Sequence, residues 1–477
     1  MIHSTASPAT ATEQAWAALG GDPALLARIA FSGPAGTLPA RLPVRDLARA
    51  AVAVCSLAAA ELTARRTGGP VPGVRTDDGA VATAFVSERH LRVDGRAPAT
   101  FAPLSRFWRT ADGWVRTHAN YPHHRARLLG TLGLSEDIAD DVAVDAVARS
   151  FEGRSAAGIE RTVYAAGALA VAARTPVEWA ADPRRHALRT MPLVERERIG
   201  PAPVRRTAPL TGAPVLPAAG LRVLDLTRVT AGPVATRTLA LLGADVLRID
   251  SPRLPESQDA HSDTGFGKRS VSMDLAKEAG RAAFEGLLAG ADVVLTGYRH
   301  GALDRFGLAP EGLAARRPGL VVGRLSAWGR GPWHLERGFD SLVQVATGIA
   351  TAEAEPGAAD GRPGALPAQA LDHGTGYLLA AAVLRALTEQ HDEGGSRLVT
   401  LALARTAAWL TDEIPAGADR PAPGSAAYHP EPWLTETDSP LGRLRHALPP
   451  VAFDGAPTDW SRPPGPLGAD AAAWLTA

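Results

Sequence analysis

The sequence holds a single cysteine, Cys55, among 477 residues. That excludes an intrachain disulfide framework and fits a reducing compartment. Net charge is missing as well: 50 basic residues balance 50 acidic ones, which argues against a nucleic-acid binder with its basic stripe. The opening MIHSTASPATATEQAW has neither a basic n-region nor an apolar h-region, so no signal peptide is expected. The longest apolar stretch, AAVAVCSLAAAEL at 50–62, is too short and Ala-rich to span a bilayer. These absences predict a cytoplasmic, multidomain enzyme with neither a membrane nor a nucleic-acid partner.

Lysine is almost absent too. Only Lys268 and Lys277 occur, and the remaining 48 basic residues are arginine. Such a bias fits a GC-rich genome, and it makes a retained Lys268 worth weighing. Familiar nucleotide motifs are missing. LDLTRVTAGP after the first strand offers only Gly232, so no dinucleotide fingerprint forms. There is no G-x-x-x-x-G-K-[ST] and no G-x-S-x-G elbow. His118, His123 and His124 in THANYPHHRAR have poor spacing for a metal site. They read as a solvated turn-and-helix face, and no metal is expected.

What is present suits a large core: 45% of residues are apolar. At ~150 residues per domain the length allows about three domains. The runs LRVLDL (221–226), ADVLRID (244–250), SVSMDL (270–275), ADVVLTG (291–297) and LVVGRLS (320–326) read as strands. Helical patterns at 234–243 and 279–290 alternate with them, which implies crossovers and a parallel sheet. The expected fold is α/β, with a Rossmann-like parallel-sheet large domain at 218–412 and a smaller α+β domain at 96–196. Breaker-rich stretches at 197–217 and 413–443 read as linkers, and 444–477 as a C-terminal tail segment.

The chain also repeats itself. LPARLPVRDLARAAVAVCSLAAAEL (38–62) is similar to LPAQALDHGTGYLLAAAVLRAL (366–387), with Asp46 facing Asp372. A second pair, VRTDDGAVATAF and VTLALARTAAWL, keeps nearly the same offset. Residues 1–95 therefore read as a partial repeat of the last unit of the large domain, helix–strand–helix.

Chemistry is expected just past the strand ends, where open α/β sheets bind ligands. RVTAGP (228–233) meets a helix N-terminus, GKRS (267–270) adds two cations, and YRHGALDRFG (298–307) adds Arg299 and Arg305. Together they suggest a polyanionic ligand such as a nucleotide or pyrophosphate. Asp372 stands at the expected start of a helix over 373–389, followed by Gly374 and Gly376. Two readings stay open from spacing alone. Asp is a favoured helix cap, and it is also a nucleophile to which the two glycines would admit an acyl group.

Beyond these readings, six motifs in order resemble the class III CoA-transferases, the formyl-CoA and carnitine CoA-transferase type related to α-methylacyl-CoA racemases. They are LRVLDLTRVTAGPVATRTLALLGADVLRID, GKRSVSMDL, ADVVLTGYRHGALDRFG, WGRGP, RGFDSLVQVATG and ALDHGTG. The resemblance runs over about 218–412. FWRTADGW and RTPVEWAADPRRHAL are similar to the family's small domain, and the tail from 444 to its C-terminal segment.

The resemblance implies CoA transfer between an acyl-CoA and a carboxylic acid through an aspartyl anhydride and an aspartyl-CoA thioester. It implies Asp372 as nucleophile, Asp340 as the neighbouring acid, and CoA contacts from Arg228, Thr230, Ala231, Lys268, Arg299, Arg305 and Arg337. It further implies an interlocked homodimer and no bound cofactor besides coenzyme A as substrate. Racemases of the family carry His before the acid, whereas Phe339 stands here. Thr230 replaces a common Gln, YRHG replaces N-F-R-P-G, and the small-domain part comes first. A racemase and an inactive CoA-binding relative are the alternatives.

Overall fold

A computed structural model describes residues 9–99, 101–254, 256–355, 361–415 and 427–475. Its centre is a seven-stranded sheet built from β1 (Glu195–Gly200), β2 (Arg222–Leu226), β3 (Asp245–Asp250), β4 (Arg269–Ser272), β5 (Val293–Thr296), β6 (Val321–Ser326) and β7 (Ser396–Ala402). The spatial order is β4-β3-β2-β5-β6-β7-β1, parallel except for β1 at the edge. Val and Leu on β2, β5 and β6 are buried on both faces, as a sheet covered by helices on each side requires. The fold is thus mixed α/β around a largely parallel sheet. Strand order reverses between β2 and β5, which opens a crevice at their carboxyl ends.

Three helices matter for the site: α1 (Val44–Thr67), α2 (Ala231–Leu241) and α3 (Ala370–Glu393). Both α1 and α3 have 24 residues, are rich in alanine, and are buried along most of their length. Small side chains let the two axes approach closely. By length and composition α1 would cross a bilayer, so the reading from residues 50–62 underestimated it. Its apolar surface is covered instead, by α3 and the main core.

Helix–strand–helix units occur twice: α1, Val74–Asp77 and Asp78–Phe85, then α3, β7 and Leu403–Asp412. Val74–Asp77 pairs with Ile29–Ser32 in a two-stranded sheet and bridges Phe453 through Val74, so among the described residues the first unit does not join the seven-stranded sheet. Residues 104–172 enclose a core of their own around Trp108, Val115, Phe151, Ile159 and Val163. A three-stranded antiparallel sheet, Phe107–Arg109, Trp114–Thr117 and Ala170–Ala172, backs that core.

Two linker readings need correction. Residues 197–200 belong to β1, whose outward Glu and Arg side chains give it no apolar signature. The stretch 413–443 contains the strand Leu434–Ser439, which pairs with Gly442–Ala447. LTETDS carries one apolar residue in six, so periodicity could not reveal it. The supposed boundary at 443 cuts through this hairpin. Residues 416–426 of the same stretch lie outside the described residues. The tail packs back on the sheet edge, with Asp470 accepting from the Ser270 amide.

Candidate active site

A cavity of about 870 Å³ lies at the carboxyl ends of the parallel strands. Its floor comes from Leu226 at the end of β2 and Arg228, Val229 and Ala231 beyond it, Tyr298 and Arg299 after β5, and Leu325 to Ala327 at the end of β6. Arg305 and Arg337 stand on the rim, and Asp372 and Leu403 close the inner end. Tyr121, His123 and His124 of the smaller sheet region form the facing wall. Of the eleven site residues expected from sequence, six line this one cavity: Arg228, Ala231, Arg299, Arg305, Arg337 and Asp372.

The α3 helix begins at Ala370, so Asp372 sits inside its first turn rather than at the cap. Its side chain is buried, and Oδ2 has no hydrogen-bond partner among the described residues. The Asp372 amide donates to Asp340 Oδ2 at 2.9 Å, and Gln344 donates to Asp340 Oδ1. Burial first, then the neighbouring Asp340 and Glu88 carboxylates, pushes the Asp372 carboxyl well above the usual range. A helix N-terminus favours the ionised form, but desolvation outweighs it here. Asp340 also moves up through burial, held back by hydrogen bonds from the Asp372 amide, Gln344 and the Leu371 amide. Asp340 lies behind Asp372, not on the cavity wall.

Gly374 and Gly376 do not admit a ligand either. A Cβ on Gly374 would meet Leu47 of α1 at 2.6 Å, and one on Gly376 the Ala231 carbonyl oxygen at 2.5 Å. These glycines let α1 and α2 seat against α3 and so fix where Asp372 points.

Lys268 is likewise reassigned. It is fully buried, with Nζ 3.2 Å from Asp225 Oδ2 and 2.9 Å from the Pro233 carbonyl. Burial pulls its pKa down to about 8, and Asp225 opposes that fall. This pair ties β2 to the turn into β4, and neither residue lines the cavity. Thr230, the residue before α2, is absent from the cavity wall, unlike its neighbours on both sides. Six arginines, Arg299, Arg305 and Arg337 among them, line the cavity against Asp274, Glu336 and Asp372, so its lining favours an anionic ligand.

The histidines depart most from expectation. His118 and His124 are buried, not solvated, and His123 and His124 reach the cavity. Burial holds His118 at about 3 and His124 at about 2, so both are neutral. His118 stacks on Phe339 with centroids 3.6 Å apart. Their motif was visible in the sequence, but the fold that buries it was not. No grouping of His, Cys, Asp and Glu suited to a metal ion occurs among the described residues.

Residues 218–431 match the family described as CoA-transferase family III. The probable fatty acyl-CoA transferase Rv3272 of Mycobacterium tuberculosis is 34% identical over 207 residues, 40% of this chain and 52% of that protein. The acetyl-coenzyme A transferase nodX of Hypoxylon pulicicidum is 32% identical over 244 residues, 50% of this chain and 39% of that one. Among solved structures, a CAIB/BAIF family protein from Brucella suis shares 26% identity and a TM-score of 0.38, covering 48% of this chain and 65% of its own. The chain thus spans about half the length, or less, of these curated relatives.

Proposed function

Starting from the family III CoA-transferase segment at residues 218–431, we propose that this chain moves CoA between an acyl-CoA and a free carboxylic acid. One observation carries the reading. Asp372, whose buried Oδ2 has no hydrogen-bond partner among the described residues, lines a cavity that also holds Arg299, Arg305 and Arg337. A carboxylate aimed at an acyl group and cations for a polyanion are the two things that transfer from CoA requires.

In this reading Asp372 attacks the thioester carbonyl and expels CoA thiolate, leaving a mixed anhydride. The thiolate then attacks the aspartyl carbonyl, which gives an aspartyl-CoA thioester and releases the first acid. An incoming carboxylate reverses both steps. Carboxylates are weak nucleophiles, so positioning must do most of the work, and it can supply ~7–11 kcal/mol. The push that disfavours ionisation of Asp372 also makes the carboxylate more basic, hence more nucleophilic, once formed. Proton exchange of the racemase kind needs a second carrier beside Asp340. Phe339, in the position directly before Asp340, cannot serve.

A homodimer in the cytoplasm belongs to the proposal. Tyr121, His124 and Asp372 of one chain share the cavity wall. The proposal is tested by mixing the protein with several acyl-CoA donors and a panel of acids, then measuring new thioesters by mass. Transfer by the native chain and none by Asp372→Asn is expected. Transfer surviving in Asp372→Asn refutes the mechanism, and CoA binding without transfer to any acid refutes the activity.

A further inference from the structure

Val229, in the loop between β2 and α2, adopts φ +68°. That region is costly for any L-residue and most of all for a β-branched one. The conformation persists only if the surroundings hold it, and one side chain does so. The Val229 amide donates to Glu256 Oε2 at 3.2 Å. Tyr121 Oη donates to the same carboxylate, at 2.9 Å to Oε1 and 3.1 Å to Oε2. Arg228 Nε lies 3.4 Å from Oε2, and its guanidinium sits 4.8 Å from the Tyr121 ring centroid.

Glu256 is thus a buried carboxylate bonded to both sides of the cavity. Arg228 and Val229 come from the sheet side, and Tyr121 from the facing wall. The side chain is only 3% exposed. Burial raises its pKa, but Arg228 and Arg248 outweigh that and keep it low. The charged form is therefore the one that accepts these bonds. Nothing in the CoA-transfer scheme calls on Glu256 or Tyr121.

We propose that Glu256 is a positioning residue, a latch that joins the Tyr121 wall to the strained Arg228–Val229 loop and sets the width of the cavity. The part concerning acyl-CoA rests on the proposed function. The part concerning the loop does not. Without the charged acceptor, Val229 relaxes to negative φ and carries Arg228 away from the site. A glycine at 229 holds positive φ at no steric cost, so it should restore what the latch enforces.

The test uses the full chain with Glu256→Gln, Tyr121→Phe, Val229→Gly and the double variant Glu256→Gln with Val229→Gly. Hydrogen–deuterium exchange of the peptide spanning 228–231 reads the loop without any ligand. Faster exchange is expected in Glu256→Gln, and a smaller change in the same direction in Tyr121→Phe. With acyl-CoA, KM should rise about ten- to a hundredfold in Glu256→Gln, the loss expected for hydrogen bonds to a charged group, while kcat changes less. The double variant should recover much of that KM.

Unchanged exchange in Glu256→Gln and Tyr121→Phe overturns the latch. So does a KM defect that Val229→Gly fails to reduce. If Glu256→Gln does not fold, Tyr121→Phe decides alone, since it removes only the bond across the cavity. A native chain that transfers no CoA defeats the proposed function, and the exchange data still decide the latch.

Discussion

Gly374 and Gly376 lie two residues apart on α3, and alanine at each should have a very different outcome. At Gly374 the new Cβ would meet only the end of the Leu47 side chain at 2.6 Å, with the next atom at 3.6 Å. A leucine methyl can swing aside, and alanine returns up to about 1 kcal/mol of helix propensity. Gly374→Ala should therefore lie within about 1 kcal/mol of the native chain. At Gly376 the Cβ would press on the Ala231 carbonyl oxygen at 2.5 Å and on two Val234 carbons at 3.0 Å. Backbone cannot swing aside, so α2 must shift off α3. Overpacking costs about 1–3 kcal/mol, and propensity offsets at most about 1 of that. We expect Gly376→Ala to lose about 1–2 kcal/mol on balance, measured as a lower urea midpoint with unchanged slope. Because Ala231 begins α2 and lines the cavity, CoA affinity should fall as well. Equal midpoints for the two variants would show that α2 and α3 are not in the contact described.

Asp372 should weaken the fold as pH rises. Its folded pKa is raised by burial, so the native state binds the extra proton and loses stability as pH climbs past the unfolded carboxylate value. Asp372→Asn should therefore add about 0.5–2 kcal/mol of stability at neutral pH, read as a higher denaturation midpoint, and less in acid. A variant less stable than the native chain at pH 8 would contradict the direction. Lys268→Met strands Asp225 as a buried charge and should cost about 3–5 kcal/mol. Melting reads that loss, and a variant that melts like the native chain but binds CoA weakly would return Lys268 to the site. Arg305→Ala should weaken CoA binding and flatten its salt dependence, and calorimetry at two ionic strengths would detect unchanged affinity.

Much of this arrangement was legible in the sequence, and the reasons differ by element. The strands at 222–226, 245–250, 293–296 and 321–326 carry Val, Leu or Ile at half or more of their positions, so their burial shows directly. The internal repeat was visible because Ala-rich helices keep their spacing. β1 and Leu434–Ser439 were hidden, because edge strands with polar faces lack the apolar signal. Lys268 misled because a rare lysine beside a strand looks like a ligand group, whereas its burial depends on Asp225, 43 residues away. Gly374 and Gly376 were noticed for the wrong reason, since helix contact depends on partners that spacing does not name. Glu256, Tyr121 and the Val229 backbone carry no local motif at all, and only the folded chain brings them together.

The central claim is that Asp372 carries the acyl group and then CoA. Adding hydroxylamine during turnover converts an activated aspartyl carbonyl to a hydroxamate, which peptide mass spectrometry locates. The mechanism predicts the mark on Asp372, only when acyl-CoA is present, and its absence from Asp46, whose helix turn packs against α3 instead of facing the cavity. A hydroxamate on Asp46, or efficient transfer with no mark on Asp372, would contradict it.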